Sequence, residues 1–254
     1  MDDPINPHPP GINICINNDY MDLTILIPVK NEKDNIDSII NKIKTSINIK
    51  YEILFINDFS NDETLELLKK KEITNNRIRV INNKKKGLGE TIRNGIKFSK
   101  GKFLTILMCD GSDDLNDLKK YYDTICNENL DAVFGSRFTN KSTIEGYPKV
   151  KLILNRFFNY FVSLLYLNKY NDFTNAFKIY RKDILKNLEP IVSESFNVFL
   201  EIPLKIINRK YQYKIIPINW YGRKKGVSNF QINELRSKYI FTLIYCFSEK
   251  ILLL

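Results

Sequence analysis

The chain has 254 residues, 43% hydrophobic and 12% aromatic, enough apolar material for one large α/β domain or two small ones and too much for global disorder. Its formal charge of +10 points to anionic partners such as nucleotide phosphates or lipid head groups. Charge alone does not make a nucleic-acid binder, and with no recognisable module of that kind nucleic acid is not expected as a partner.

Residues 1–22 are polar and proline-rich, with no secretory signal, and read as a loose tail. Leu23 to Val29 (LTILIPV) is a short apolar run that predicts a buried strand. Apolar residues at 36, 39, 40 and 43 then follow helical spacing. Tyr51 to Ile56 predicts a second strand, Asp62 to Lys71 a second helix with acidic residues in its first turn, and Ile78 to Ile81 a third strand. Gly89 to Ser99 reads as helix, Lys102 to Met108 as a fourth strand and Leu115 to Cys126 as a helix. Alternating strands and helices predict an α/β fold, a mostly parallel sheet flanked by helices.

The second half reads less regularly. Asp131 to Phe134 predicts a strand that ends in Gly135-Ser136-Arg137, and Tyr211 to Ile218 a late one. Lys178 and Arg181 read equally well as a solvated helix face. Apolar stretches at 157–167 and 239–247 fall short of the roughly 20 residues a bilayer span needs. They read either as amphipathic helices on a membrane surface, with basic neighbours such as Lys149, Lys151, Arg156 and Lys238, or as core. The expected division is a tail over 1–22, one α/β domain over 23–230 and a C-terminal amphipathic helix over 231–254. Cys15, Cys109, Cys126 and Cys246 form no CxxC pair and His8 is the lone histidine, so reduced thiols are expected and a zinc site is not.

Ligands of such sheets sit at the carboxyl ends of the strands, and the polar clusters fall there. Asp110, Asp113 and Asp114 crowd carboxylates after the fourth strand. That pattern suits either a hard divalent cation, Mg²⁺ or Mn²⁺, shared with substrate phosphates, or an acidic cap on the next helix. Asp58, after the second strand, suits hydrogen bonds to a base or ribose, or an ordinary turn. Lys84-Lys85-Lys86-Gly87-Leu88-Gly89 offers charge and backbone access to a diphosphate. It lacks the GK[ST] ending of a P-loop, and no GxGxxG follows the first strand, which disfavours an NTPase or a nicotinamide dehydrogenase.

In that order, the blocks ILIPVKNEKDNI, INDFSNDET, KKGLGETIRNGIKFSKGKFLTILMCDGSDD and DAVFGSRF resemble the successive blocks of family 2 glycosyltransferases, which have the GT-A fold. DFTNAFKIYRKDIL at 172–185 and WYGRKKGVSNF at 220–230 are similar to the dolichol- or undecaprenyl-phosphate sugar transferases within it. The resemblance implies an inverting, metal-dependent transfer from a nucleotide-diphosphate sugar to a polyprenyl phosphate, by an enzyme peripheral on the cytoplasmic face of a membrane. A soluble saccharide or protein acceptor, or a non-catalytic nucleotide-sugar or membrane-binding module, are the alternatives. It implies that Pro28, Asn31, Glu32, Asp58, Lys86 and Gly87 line the nucleotide site. Asp110 would lead the metal motif, with Ser112 or Asp113 in second place because the usual second aspartate is displaced. Arg137, Arg223 and Ser228 would meet the acceptor phosphate, and Asp172 would lie near the reaction centre. Asn57 and Asn229 stand where an acid and a lysine are usual. No pattern sets the sugar, the nucleotide or the oligomeric state.

Overall fold

The computed structural model describes residues 21–222 and 232–253. In chain order the elements are β1 (Leu23–Val29), α1 (Lys33–Ser46), β2 (Tyr51–Asn57), α2 (Thr64–Thr74), β3 (Ile78–Asn82), α3 (Leu88–Phe98), β4 (Phe103–Ile106), α4 (Asn116–Asn127) and β5 (Ala132–Ser136). There follow β6 (Ile144–Glu145), α5 (Lys149–Tyr166), β7 (Lys178–Arg181), α6 (Lys182–Asn187), α7 (Val198–Asn208), β8 (Tyr213–Pro217), β9 (Trp220–Tyr221) and α8 (Ile232–Leu252).

Seven strands form one sheet in the order β3-β2-β1-β4-β7-β5-β8, and β6 pairs with β9 apart from it. β7 alone runs antiparallel to its neighbours β4 and β5; every other pairing in the large sheet is parallel. The other six strands therefore all end at one edge of the sheet, with Val29, Asn57, Asn82, Ile106, Ser136 and Pro217 as their last residues. A ligand crevice belongs at that edge.

Side chains alternate across a strand, so the wholly buried strands feed two cores. Ile25, Ile27, Ile53 and Phe55 pack with Ile36, Ile39 and Ile43 of α1 and Leu118 and Tyr121 of α4. Leu26, Leu54 and Ile56 point the other way, into a cluster with Ile92 and Ile96 of α3, Val162 of α5, Leu200 and Leu204 of α7, and Leu243 of α8. Burial on both faces is why these strands carry continuous apolar runs rather than alternation.

Two expectations are corrected. Lys178 and Arg181 are not on a solvated helix; they are the ends of β7 and are buried. A strand covered on both faces shows no polar period, and the Lys178 ammonium escapes detection because main-chain carbonyls of Phe173 (3.0 Å) and Asn175 satisfy it. Cys109 and Cys246 are free and buried, but Cys126 is disulfide-bonded rather than a reduced thiol. Its half-buried place at the end of α4 leaves that sulfur open to a second cysteine. Among the described residues no helix is long and apolar enough to cross a membrane.

α3 meets the segment before α7 at a distance only glycine permits: a Cβ on Gly89 would lie 1.9 Å from the Ser193 carbonyl oxygen. Alanine ordinarily favours a helix over glycine by about 1 kcal/mol. Here the overlap with main chain reverses the sign, and Gly89→Ala is expected to cost about 1–3 kcal/mol. A lower denaturant midpoint with unchanged slope would bear this out; a midpoint at or above that of the parent would contradict it.

Candidate active site

At the strand-end edge lies a cavity of about 850 Å³. Its polar end is made by the ends of β1 and β2 and the start of α3. Pro28 and Glu32 line it, as do Asp58, Lys86 and Gly87. The Asp58 carboxylate accepts the Gly87 N–H (2.8 Å) and the Asn83 side-chain amide (3.2 Å), so it fixes the lysine–glycine turn while facing the cavity. Gly87 has φ +130°, a backbone conformation that L side chains rarely adopt. Asn31 is different. It is exposed and does not line the cavity; its side chain accepts the Asn61 N–H (2.8 Å) and its own N–H binds Ser60 (3.0 Å), tying the β1 turn to the β2 turn.

The acidic loop after β4 divides its work. Asp110, Ser112 and Asp113 line the cavity. Asp114 instead caps α4 by accepting the Asn116 N–H (3.0 Å), so the cap reading holds for this residue. The Ser112 hydroxyl and N–H both donate to Asp110, which orients that carboxylate. Burial, then the nearby Asp110 charge, push the Asp113 carboxyl up to about 7. Two crowded oxygen donors facing a cavity are a donor set that fits a hard divalent cation whose other ligands come from a diphosphate. Among the described residues no group of three or more His, Cys, Asp or Glu side chains is gathered as a ligand set, so phosphate oxygens would have to contribute. The loop is braced from behind: Ser112 accepts the Tyr221 N–H through its carbonyl (2.8 Å), and Asp113 bridges to Trp220.

At the middle of the cavity, Arg137 follows β5. Asp172 receives its N–H (2.9 Å), its Nε (2.8 Å) and its Nη2 (2.7 Å). Burial alone would lower the Arg137 guanidinium; the Asp172 charge and hydrogen bonds outweigh it and hold the group above its ordinary value. Asp172 is fully buried beneath Arg137 and is not among the residues lining the cavity, so it orients the arginine rather than facing a ligand. Lys178 lies in the same buried cluster, and burial drives its ammonium down to about 7 against the opposing pull of Asp172. Arg223 and Ser228, expected at the acceptor phosphate, lie outside the described residues.

The far end of the cavity is apolar, and no sequence motif marks it. Tyr147 and Trp220, with ring centroids 4.7 Å apart, form one wall. Leu154, Phe157 and Phe158 of α5 and Tyr239 and Ile240 of α8 line the rest, with the Phe158 ring packed edge to face on Tyr239 (centroids 5.5 Å apart), and Glu194–Phe196 also contribute. Trp220 stood in a block already singled out; the α5 and α8 residues were visible only as apolar stretches with no assigned direction.

The pattern of Glycosyl transferase family 2 matches residues 24–189. The chain belongs to that family. The GT-A fold follows from the comparison with solved structures. Glucosyl-3-phosphoglycerate synthase from Mycobacterium tuberculosis, in complex with Mn²⁺, UDP and glucosyl-3-phosphoglycerate, superposes with a TM-score of 0.65 at 14% identity, covering 89% of this chain and 80% of that one. The same enzyme with Mg²⁺ and UDP gives 0.64 at 16%, covering 89% and 79%. Among curated relatives, a polyprenol monophosphomannose synthase of Mycolicibacterium smegmatis is 24% identical over 84% of this chain and 82% of its own length. A dolichol-phosphate mannosyltransferase of Pyrococcus furiosus is 26% identical over 87% of this chain and 61% of its own. As a family 2 member the chain is a glycosyltransferase that uses a nucleotide sugar.

The buried lysine sets a pH signature. Its folded pKa of about 7 lies below the ordinary 10.5, so the unfolded chain binds more protons between those values. Lys178 therefore costs stability below pH 7 and progressively less as pH rises from about 7 toward 10.5. The parent's melting temperature minus that of Lys178→Met should rise over this range. A difference that stays flat with pH would show the lysine to be an ordinary ammonium.

Proposed function

We propose that this chain is an inverting glycosyltransferase that moves a sugar from a nucleotide-diphosphate sugar to a polyprenyl phosphate at the cytoplasmic face of a membrane. The observation that carries the proposal is the continuity of one cavity: a polar cradle around Asp58, Gly87 and Asp110 runs past Arg137 into an apolar groove between α5 and α8. A soluble, fully polar acceptor gives no use for such a groove, whereas an amphiphile with a phosphate head and an isoprenoid tail matches it end to end. The names of the curated relatives support the same reading.

In this proposal the base and ribose lie against Pro28, Glu32 and Asp58, and the diphosphate against Lys86, Gly87 and the acidic loop. Asp110 and Asp113 would hold Mg²⁺ or Mn²⁺, with Ser112 acting through Asp110. When bound, such a cation stabilises the charge that develops on the leaving diphosphate. Arg137, held by Asp172 with its charge fixed, offers its guanidinium to phosphate oxygens and aligns the acceptor for attack on the anomeric carbon from the side opposite the leaving group. A phosphate monoester has its second pKa near 6, so the attacking oxygen is anionic at neutral pH and no general base is required. Arg223 and Ser228 remain proposed acceptor-phosphate residues.

The membrane belongs to the same proposal. Ile153, Phe157, Tyr160 and Leu164 on α5, and Ile240, Phe241 and Ile244 on α8, are exposed. Basic residues border them, with Lys149, Arg156 and Lys169 on one side and Lys238 on the other. Apolar rows bordered by cations fit an anionic bilayer surface.

The test incubates the protein with Mg²⁺ or Mn²⁺, UDP- and GDP-sugars and undecaprenyl or dolichyl phosphate, and measures release of nucleoside diphosphate. Lipid-phosphate-dependent release that vanishes in Asp110→Ala is expected, with a loss of about 10² or more in kcat for Arg137→Ala. Release indifferent to the lipid would move the acceptor to a soluble molecule. No release with any donor would favour a binding module.

A further inference from the structure

Between α6 and α7 the chain from Leu188 to Asn197 has no helix or strand, yet its main chain is held by three charged side chains. Lys205 donates to the carbonyls of Leu188 (3.1 Å) and Pro190. Arg93 donates to those of Ile191 (3.0 Å) and Ser193 (2.9 Å). Glu201 accepts the N–H groups of Val192 (2.9 Å) and Ser193 (2.7 Å). Glu201 and Lys205 are fully buried and pair with each other at 3.3 Å. Buried charge is expensive unless it is hydrogen-bonded, so a piece of irregular chain that satisfies two such groups, and half-buried Arg93 besides, is held in shape.

That strap touches two places. On one side the Glu194 carbonyl accepts the Gly89 N–H (3.0 Å), in the first turn of α3, immediately after the Gly87 that Asp58 holds. On the other side Asn197 donates to the Thr242 hydroxyl of α8 (2.8 Å) and to Ser193 Oγ (2.9 Å). Thr242 lies on the buried face of α8, while its sequence neighbour Phe241 and the nearby Ile244 point outward and are exposed.

We infer that the strap makes membrane docking and donor binding reinforce each other: α8 seated in lipid holds the strap, and the strap holds the glycine turn that receives the diphosphate. The inference rests on the donor and membrane assignments proposed above. Coupling between two ligands is reciprocal, so a bound nucleotide must tighten bilayer binding by the factor by which the bilayer tightens nucleotide binding.

The experiment uses the full chain, UDP and GDP with Mn²⁺, and vesicles of phosphatidylcholine and phosphatidylglycerol that contain no polyprenyl phosphate. Nucleotide dissociation constants are measured in buffer and on vesicles, and vesicle partition is measured with and without nucleotide. About fivefold or more tighter nucleotide binding on vesicles is expected, with a matching gain in partition. Thr242→Val should keep both bindings and abolish the gain, and Thr242→Ser, which retains the hydroxyl, should restore it. Equal nucleotide affinity in the two settings for the parent protein would overturn the coupling while leaving donor and membrane assignments standing. A gain that survives in Thr242→Val would overturn the strap as its route. Absence of vesicle binding would overturn the membrane assignment and the inference together. Even where a variant fails to fold, equal affinities in the parent protein would overturn the inference.

Discussion

The ion pair of Arg137 and Asp172 is the constraint on which the cavity depends. It spans the loop after β5 and the loop before β7, with three hydrogen bonds between two residues that are almost wholly out of water. Removing either partner would strand a buried charge, at a cost of about 3–5 kcal/mol. The pair therefore works as a latch: it keeps the antiparallel strand β7 inserted between β4 and β5 and keeps the guanidinium at the middle of the cavity. Lys178, at the first position of β7, closes the turn from the other side through the carbonyls of Phe173 and Asn175. A hydrophobic latch could close the sheet as well, but it would set no guanidinium in the cavity.

Beside this latch the carboxylates of the acidic loop take separate duties although they are nearly adjacent in sequence. Asp114 and Asp117 are turned to structure: the former caps α4, and the latter accepts the Asn219 N–H (2.8 Å) ahead of β9. Asp110 and Asp113 are left to face the cavity, and their mutual repulsion is opposed in part by the charges of Arg137 and Lys178. A loop in that condition favours a cation, which is the physical reason to read it as half of a metal site completed by substrate.

Much of this was legible in the sequence. Strands β1 to β4 are short and predominantly apolar and end in polar clusters, so both the parallel sheet and the edge that holds the crevice could be read from the sequence. The order of the blocks gave the family, and the comparisons bear it out. The latch was half legible: Arg137 and Asp172 stood in recognisable blocks, but their pairing across 35 positions has no local signal. β7 was missed because a lysine and an arginine bound its two apolar residues, and burial of Lys178 depends on carbonyls that sequence does not display. The strap was invisible for a related reason. Its partners Arg93, Glu201 and Lys205 bind main chain, which leaves no mark on the residues they bind.

The two helices beyond the sheet resist sequence reading because each has two apolar faces. In α5, Val162 and Tyr166 enter the core while Phe157, Tyr160 and Leu164 face out; in α8, Leu243 and Cys246 enter it while Phe241 and Ile244 do not. A helix of that kind lacks the polar stripe by which amphipathic helices announce which side is wet, and so it scores as core or interface alike. The structure separates the faces, and the separation has a chemical consequence. Leu154, Phe157 and Ile240 belong both to the exposed rows and to the cavity wall. On the proposed reading, the groove that receives an isoprenoid tail thus opens on the surface that meets the bilayer, and an acceptor could pass from one to the other with its tail out of water throughout. On the same proposed reading, that continuity gives a reason for the apolar side chains of α5 and α8 to stay exposed in a protein with two well-filled cores: burying them against the body would close the groove.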